Sequence, residues 1–495
     1  MDRAATVRHA LALLLLGAAS ALAGPAAGQG AGRGIASAEY AARRDSLAAH
    51  IRNGAVLAFG APEPVTDLAP FRQLPAFDYL TGFDDPDAAF LMVARDGHSV
   101  YTMLFQARKD PRMVLYTGFP ADSAKLIREL GLGVRFLDAL RPALGDALAG
   151  GAPLWEIRDY ATRDAVQADS LTRGRVFVAS VLRDRPAVRL RDAHPVLDSM
   201  MVPKSAAEQR LLRRAAEITM AGQEAAMRAV APGRREAAAQ AAAEYVFRVQ
   251  GDGPSFGSIA GSGPNSTSYH YRRNDRVMQA GDVVVMDMGA LYQGYAADVT
   301  RTVPVSGTFT ADQRAVYQLV RDAQAAAEKL VRAGAPVDAG SDAVRAVEAA
   351  GLAKLGLIES PDATFDPPWP ADCASGAIRC RQAFLYMAHG LGHGIGLEVH
   401  DAGGYSYSPT GTFQLGEVFT IEPGIYISNQ LLDMLPDTPK NRAFIARVRP
   451  AVQRYHDIGV RIEDDYIVTA TGADWISRGP REIAEVEAVM RRATP

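Results

Sequence analysis

The chain divides into two unlike halves, an α/β domain over residues 36–195 and an α+β domain over residues 196–495, and three observations predict this. Short apolar runs alternate with helical ones from Ser37 to about Leu190. Three prolines between Pro186 and Pro203 then mark a transition. Beyond Lys204 the order is helices, hairpin, helices, hairpin, as two related units would produce.

The elements follow in order. SAEYAARRDSLAAHI, from Ser37 to Ile51, has helical spacing, with Gly54 as its stop. AVLAFG, AAFLMVA, SVYTML and MVLYTG read as strands, with SAKLIREL and GDALAG as helices between or after them. From Lys204 to Val249 alanine and leucine dominate and the apolar spacing gives a packed helical face, broken at Pro232-Gly233. Further helices are expected over Ala311–Gly334 and Ser341–Gly356. The proline-rich stretch Ser360–Ser375 reads as an insertion, and Ser428–His456 as a loop or excursion.

Before residue 36 the chain differs in kind. Arg3 and Arg8 precede an apolar run from Ala10 to about Gly17, which ends at Ala21-Leu22-Ala23, so residues 1–23 read as a signal peptide. The alternative is an anchor that is never cut. The run falls short of the roughly 20 residues a membrane span needs, so no stable span is expected after cleavage. No cysteine follows it for lipid attachment, and the two arginines are not adjacent, which leaves the twin-arginine route without support. Residues 24–35 form a glycine-rich leader. A periplasmic or secreted location follows, and with it a local disulfide between Cys373 and Cys380. Two cysteines exclude a zinc site built wholly from thiolates. With 495 residues, 48% hydrophobic and 22% charged, the chain can bury sizeable cores. A formal charge of −3 without a long basic run gives no footprint of a nucleic-acid partner.

The chemistry concentrates in the second half. VVVMDMGALYQGYAADVTRTVPV reads as a hairpin turning at Gln293-Gly294. In such a two-residue hairpin, facing positions sum to an odd number, so Asp287 and Asp298 share a face. Their valine, methionine and alanine neighbours argue against a solvated face. In EVFTIEPGIYI and GVRIEDDYIVT, apolar residues alternate with Thr420, Glu422, Arg461 and Glu463, so both glutamates leave the core on one side. HGLGHGIGLEVHD, from His389 to Asp401, holds three of the nine histidines, with glycine at every second position from Gly390 to Gly396. Those glycines clear room for imidazoles at a crowded site and permit turns that other residues resist. His50, His98 and His194 read as satisfied core residues, and His456 as bland.

Four carboxylates cannot share one buried site without compensation. Two of them about 4 Å apart repel by roughly 4 kcal/mol at an effective dielectric near 20. Two divalent cations would cancel the four charges and leave room for one bridging hydroxide. Oxygen ligands with one imidazole favour manganese, with cobalt or zinc possible. A paired-metal hydrolase is the chemistry that follows.

These residues resemble the creatinase and aminopeptidase P family of pita-bread metallopeptidases. HGLGHGIGLEVHD resembles the family signature throughout, and MDMG, AADVTRT, TIEPG and RIEDD follow in the family's order. FRQLPAFDYLTGF, from Phe71 to Phe83, resembles the family's N-terminal domain more weakly. The resemblance implies a creatinase-like N-terminal domain and a pita-bread catalytic domain. It implies that Asp287 binds one metal alone, that Asp298 and Glu463 bridge two, and that His393 and Glu422 complete the other shell. Glu422 would also move a proton, His270 would line the proline-side pocket, and His389 would contact substrate around it. His400 would bind the scissile carbonyl, and Arg461 would hold a bridging carboxylate. The implied activity is removal of the residue before proline from peptides with proline second, by a homo-oligomer, dimer or tetramer. A dipeptide-specific Xaa-Pro dipeptidase is the nearest alternative, and a metal-free peptide-binding module of the same fold a more distant one. The cysteine-bearing stretch before His389 and the extra residues after Ile427 depart from the family pattern beside the site, which leaves the preferred peptide length open.

Overall fold

The computed structural model describes residues 34–64, 71–119, 122–162 and 171–491. The expected signal peptide, and all but the last two residues of the leader, lie outside the described residues. No helix among the described residues is long and apolar enough to cross a membrane.

The first half forms as α1 (Ser37–Ile51), β1 (Gly54–Phe59), α2 (Pro75–Thr81), β2 (Ala89–Arg95), β3 (His98–Gln106), α3 (Pro111–Thr117), α4 (Ser123–Leu130), β4 (Gly133–Phe136), α5 (Leu140–Ala147), β5 (Leu154–Ile157), α6 (Arg173–Asp184), β6 (Leu190–Asp192) and α7 (His194–Met201). Its sheet runs β4-β3-β2-β1-β5-β6, antiparallel among the first three strands and parallel where β4, β5 and β6 join. β1 and β2 lack polar alternation because both of their faces are covered. Val56, Ala58, Phe90 and Met92 enter one core, and Ala55, Leu57, Ala89 and Leu91 another.

Several local readings need correction. MVLYTG lies in helix α3 and its cap, not in a strand: Asp110 accepts from the Arg112 N–H at 2.8 Å and Pro111 opens the first turn. α1 stops at Arg52, ahead of Gly54. His50 and His98 are exposed; only His194 is a buried, satisfied histidine, with Tyr160 Oη at 2.8 Å and the Arg158 N–H donating at 3.0 Å.

The second half continues with α8 (Ala206–Ala229), α9 (Ala237–Gln250), β7 (Gly253–Pro254), β8 (Ile259–Ser262), β9 (Val283–Met288), β10 (Ala290–Tyr292), β11 (Tyr295–Ala296), β12 (Val299–Pro304), α10 (Ala311–Glu328) and α11 (Val337–Leu355). Then come β13 (Val418–Ile421), β14 (Gly424–Ile427), α12 (Pro439–Tyr455), β15 (Ile458–Arg461), β16 (Asp464–Val468), β17 (Ala473–Trp475) and α13 (Ile483–Arg491). α8 and α10 both start on capping boxes, Ser205 with Glu208 and Thr310 with Gln313. Ser428–His456 is no loop: 17 of its residues form α12, which starts at the Thr438 cap and packs Phe444, Val448, Val452 and Tyr455 inward. The expected domain boundary at residue 195 falls inside α7. Cys373 and Cys380 form a disulfide, with Cα atoms 5.6 Å apart.

Candidate metal centre

The first acidic pair stands on one continuous hairpin. Tyr292 pairs with Tyr295, Met288 with Val299 and Asp287 with Thr300, a single register kept from turn to base. Gln293 and Gly294 both have positive φ, 49° and 83°, the two-residue turn whose twist matches the strands. Asp298 lies two residues before Thr300, so it shares the face of Asp287. The expected parity holds.

The second pair comes from β13 and β15. Ile421 and Val460 are fully buried in the core, and Ile462 joins them. Glu422 and Glu463, one or two residues past the strand ends, turn to the other side. Thr300 donates to Glu463 at 2.7 Å, which ties the second pair to the first hairpin.

The glycine-rich run pairs alongside β13. The Glu422 N–H donates to Leu391 O, Thr420 N–H to His393 O and Ile395 N–H to Val418 O, each at 2.9 Å. A Cβ at Gly392 would lie 2.2 Å from Thr420 O, and one at Gly394 2.3 Å from Ala402 O. Gly392 and Gly394 therefore admit neighbouring main chain, while Gly396 leaves room for the Asp401 carboxylate; the imidazoles fill none of these spaces.

That packing delivers His393 to the acids. Its Nε2 lies 3.7 Å from Asp298, 3.5 Å from Glu422 and 3.9 Å from Glu463. Its Nδ1 faces Gly394 O at 3.1 Å, so a proton there leaves Nε2 as a lone pair toward the carboxylates. Ligand atoms of Asp298, His393 and Glu463 all fall within 4.8 Å of one another. Arg461 makes its close ion pair with Asp287 rather than with Asp298 or Glu463, the expected bridging carboxylates; it also reaches Thr300 at 3.2 Å and donates to Tyr426 Oη at 2.8 Å. Tyr426 in turn meets His389 Nε2 at 2.8 Å. The His400 ring lies 4.3 Å from that of His393, tilted at 58° to it. All nine residues picked out in the sequence, His270 included, line one cavity of about 350 Å³.

Electrostatics sharpen the chemistry. Burial, then repulsion from neighbouring carboxylates, holds Asp298, Glu422 and Asp465 well above the usual carboxylate range. Burial and Asp287 push Glu463 up to about 8. Meanwhile Asp287 Oδ1, Asp298 Oδ1 and Glu463 Oε1 are buried without a hydrogen-bond partner among the described residues. Orphaned oxygens beside the His393 imidazole are what divalent cations satisfy, so this donor set fits a metal. Burial and then Arg461 lower His389 to about 4, so it is neutral at physiological pH.

Three contributors escaped the sequence reading. Tyr426 links His389 to Arg461, Thr300 links Arg461 to Glu463, and Asp465 accepts from the Asp298 N–H at 3.3 Å. Thr300 was within reach, since the parity that pairs Asp298 with Asp287 puts Thr300 on the same face.

A buried acidic and imidazole centre on an α+β body, behind an α/β domain, defines a metal-dependent enzyme. The profile of Metallopeptidase family M24 matches residues 210–470, and that of the Aminopeptidase P N-terminal domain matches residues 40–155. Xaa-Pro aminopeptidase of Escherichia coli (strain K12) is 31% identical over 465 residues, covering 92% of this chain and 98% of that one. Xaa-Pro dipeptidase of Homo sapiens is 32% identical over 320 residues, or 60% of this chain and 62% of that one. Zinc-substituted E. coli aminopeptidase P in complex with product superposes with a TM-score of 0.75 at 29% identity, over 93% of this chain and 99% of that one. The chain belongs to metallopeptidase family M24, with the creatinase-like N-terminal domain and pita-bread catalytic domain of aminopeptidase P.

Proposed function

We propose that the protein is an exported Xaa-Pro aminopeptidase that uses two divalent cations, manganese first, with cobalt or zinc as alternatives. One observation carries the reading: buried, partnerless oxygens of Asp287, Asp298 and Glu463 face the same cavity as His393 and Glu422. Those five residues would hold the cations, with Asp298 and Glu463 shared. Cations bound there would lower the pKa of the attacking water and place positive charge beside the scissile carbonyl.

The remaining steps belong to side chains. Glu422, whose side chain keeps 16% of its exposure, takes a proton from the attacking water and returns it to the departing proline nitrogen. His400 donates to the carbonyl oxygen as negative charge develops there. Neutral His389 and exposed His270 border the proline ring. An Xaa-Pro amide has no N–H, so shape around that ring has to select it. Arg461 holds Asp287 in place through their ion pair. A dipeptide-specific enzyme is the second reading, favoured by the similarity to the human Xaa-Pro dipeptidase.

Exhaustive chelation is expected to abolish cleavage of Xaa-Pro peptides, and added manganese to restore it. Undiminished turnover in excess chelator would refute the reading.

A further inference from the structure

A cavity of about 490 Å³, larger than the one at the metal centre, adjoins it. It lies between α11 and the disulfide-bearing loop, and His389, Gly390 and Ser406 line both spaces. Its wall is largely apolar, with Val344, Ala349, Ala383, Phe384, Met387 and Leu391. Two features break that pattern. Glu348, only 1% exposed, lines the cavity, and its Oε1 has no partner among the described residues. Tyr405 lines it too, and its hydroxyl is buried with no hydrogen-bond partner among the described residues. The charges at the rim are already paired, Arg345 with Asp342 at 2.5 Å and Arg381 with Asp362 at 3.1 Å. Glu348 is therefore the one acid in this lining without a counter-charge in contact, and a buried lone carboxyl is a costly thing to keep unless something comes to meet it.

We propose that this cavity seats the substrate residue that follows the proline, and that it selects a long aliphatic stem ending in a cation, as in lysine. The inference rests on the Xaa-Pro aminopeptidase reading. An aminopeptidase has only one residue before the scissile bond, so further substrate must extend past the proline. His389, assigned there to the proline's surroundings, stands at the junction of the two cavities. Apolar walls suit four methylenes, and the Glu348 carboxyl offers an acceptor where an ammonium would otherwise be stranded. Burial, opposed by Arg345, holds Glu348 well above the usual carboxylate range, and a cation meeting it would draw that value down.

The test compares Ala-Pro-Lys with Ala-Pro-norleucine, which keeps the stem and drops the charge, on the metal-loaded full chain. Lysine is expected to be preferred in kcat/KM by about tenfold, the worth of one charge-assisted hydrogen bond. Glu348→Gln, close in shape, is expected to bring that ratio to near one. Equilibrium binding of Pro-Lys against Pro-norleucine reads the same preference without turnover. Cleavage with both ratios near one, or a ratio unchanged in Glu348→Gln, overturns the subsite. A preference for lysine in the first position, with none in the third, overturns it equally. Binding preference intact with no cleavage of any peptide overturns the aminopeptidase reading and leaves the subsite standing.

Discussion

Asp298 is held from two directions, its N–H by Asp465 at 3.3 Å and its carboxylate facing His393 at 3.7 Å. If it bridges two cations, Asp298→Asn removes one charge from both and substitutes an amide that binds hard cations poorly. We expect metal content to fall below one ion per chain and turnover to drop at least a hundredfold, an order set by comparable losses of positioned charge. Elemental analysis after dialysis checks it; a variant with full metal and a normal rate ends the bridging assignment. The same cluster sets a pH response in the metal-free protein. Glu463 is raised to about 8, and Asp298, Glu422 and Asp465 are raised as well, so the folded state keeps protons that the unfolded chain releases near pH 4. With more protons bound when folded, stability is fully present at about pH 4 and is lost as pH rises toward 8. The Tm of chelated protein should therefore fall between pH 5 and pH 8, and manganese should raise it more at pH 8 than at pH 5. A metal-induced shift that shrinks with pH would contradict this. At this scale the ligands were legible because each sits in a short motif with a readable parity. Tyr426 was not, because its role depends on Arg461 arriving from a strand 35 residues later.

The hairpin from β9 to β12 turns a local rule into a site. One register, set by Gln293-Gly294, decides that Asp287, Asp298 and Thr300 share a face. Inserting one alanine between Gln293 and Gly294 changes the parity of every facing pair if β9 and β12 keep their own positions on the sheet. Asp298, outside the regular ladder, is the residue left to absorb the error. We expect the variant to fold with little change in far-ultraviolet circular dichroism and to bind manganese at least tenfold more weakly, read by titration calorimetry. Unaltered affinity would show that the hairpin does not position the ligand. Other elements were less readable for a physical reason. In α3 the β-prone MVLYT run is outvoted by the Asp110 cap and Pro111, and it leaves Leu115 and Tyr116 exposed at 86% and 74%, so no buried stripe announces a helix. In α12 three prolines, Pro436, Pro439 and Pro450, suggest loop. One precedes the cap, one occupies the first turn where no N–H is needed, and only Pro450 stands inside. The stripe Phe444, Val448, Val452, Tyr455 was the better signal there.

Across the whole molecule, the two halves share one of their cores. Ile35, Tyr40, Leu47, Phe77 and Phe90 from the first half pack in one cluster with Leu211, Tyr295, Ile395 and Leu397 from the second. Buried polar contacts cross the same seam: Arg43 pairs with Glu208 at 3.3 Å, and Ser205 donates to Glu39 at 2.6 Å. The sequence showed where each half lay but not this seam, since no periodicity within a segment tells which distant face will cover it. The seam reaches the metal centre. Ile395 and Leu397 stand between His393 and His400, and Tyr295 closes the hairpin that carries Asp298. Uncovering Leu211, Tyr295, Ile395 and Leu397 would cost roughly 6–12 kcal/mol at 1.5–3 kcal/mol for each side chain, which is comparable to the entire stability of a typical domain. A chain beginning at Lys204 keeps every proposed ligand yet loses that cover. We expect it to be poorly soluble, to unfold without a cooperative transition, and to hold less than a tenth of the full chain's metal at equal manganese, measured by calorimetry and elemental analysis. If it instead unfolds cooperatively with a full metal complement, the first half is dispensable for the centre. Its place would then be on the substrate side, where Arg72 already reaches across to donate to Ser255 O at 2.8 Å, next to Phe256 of the cavity wall.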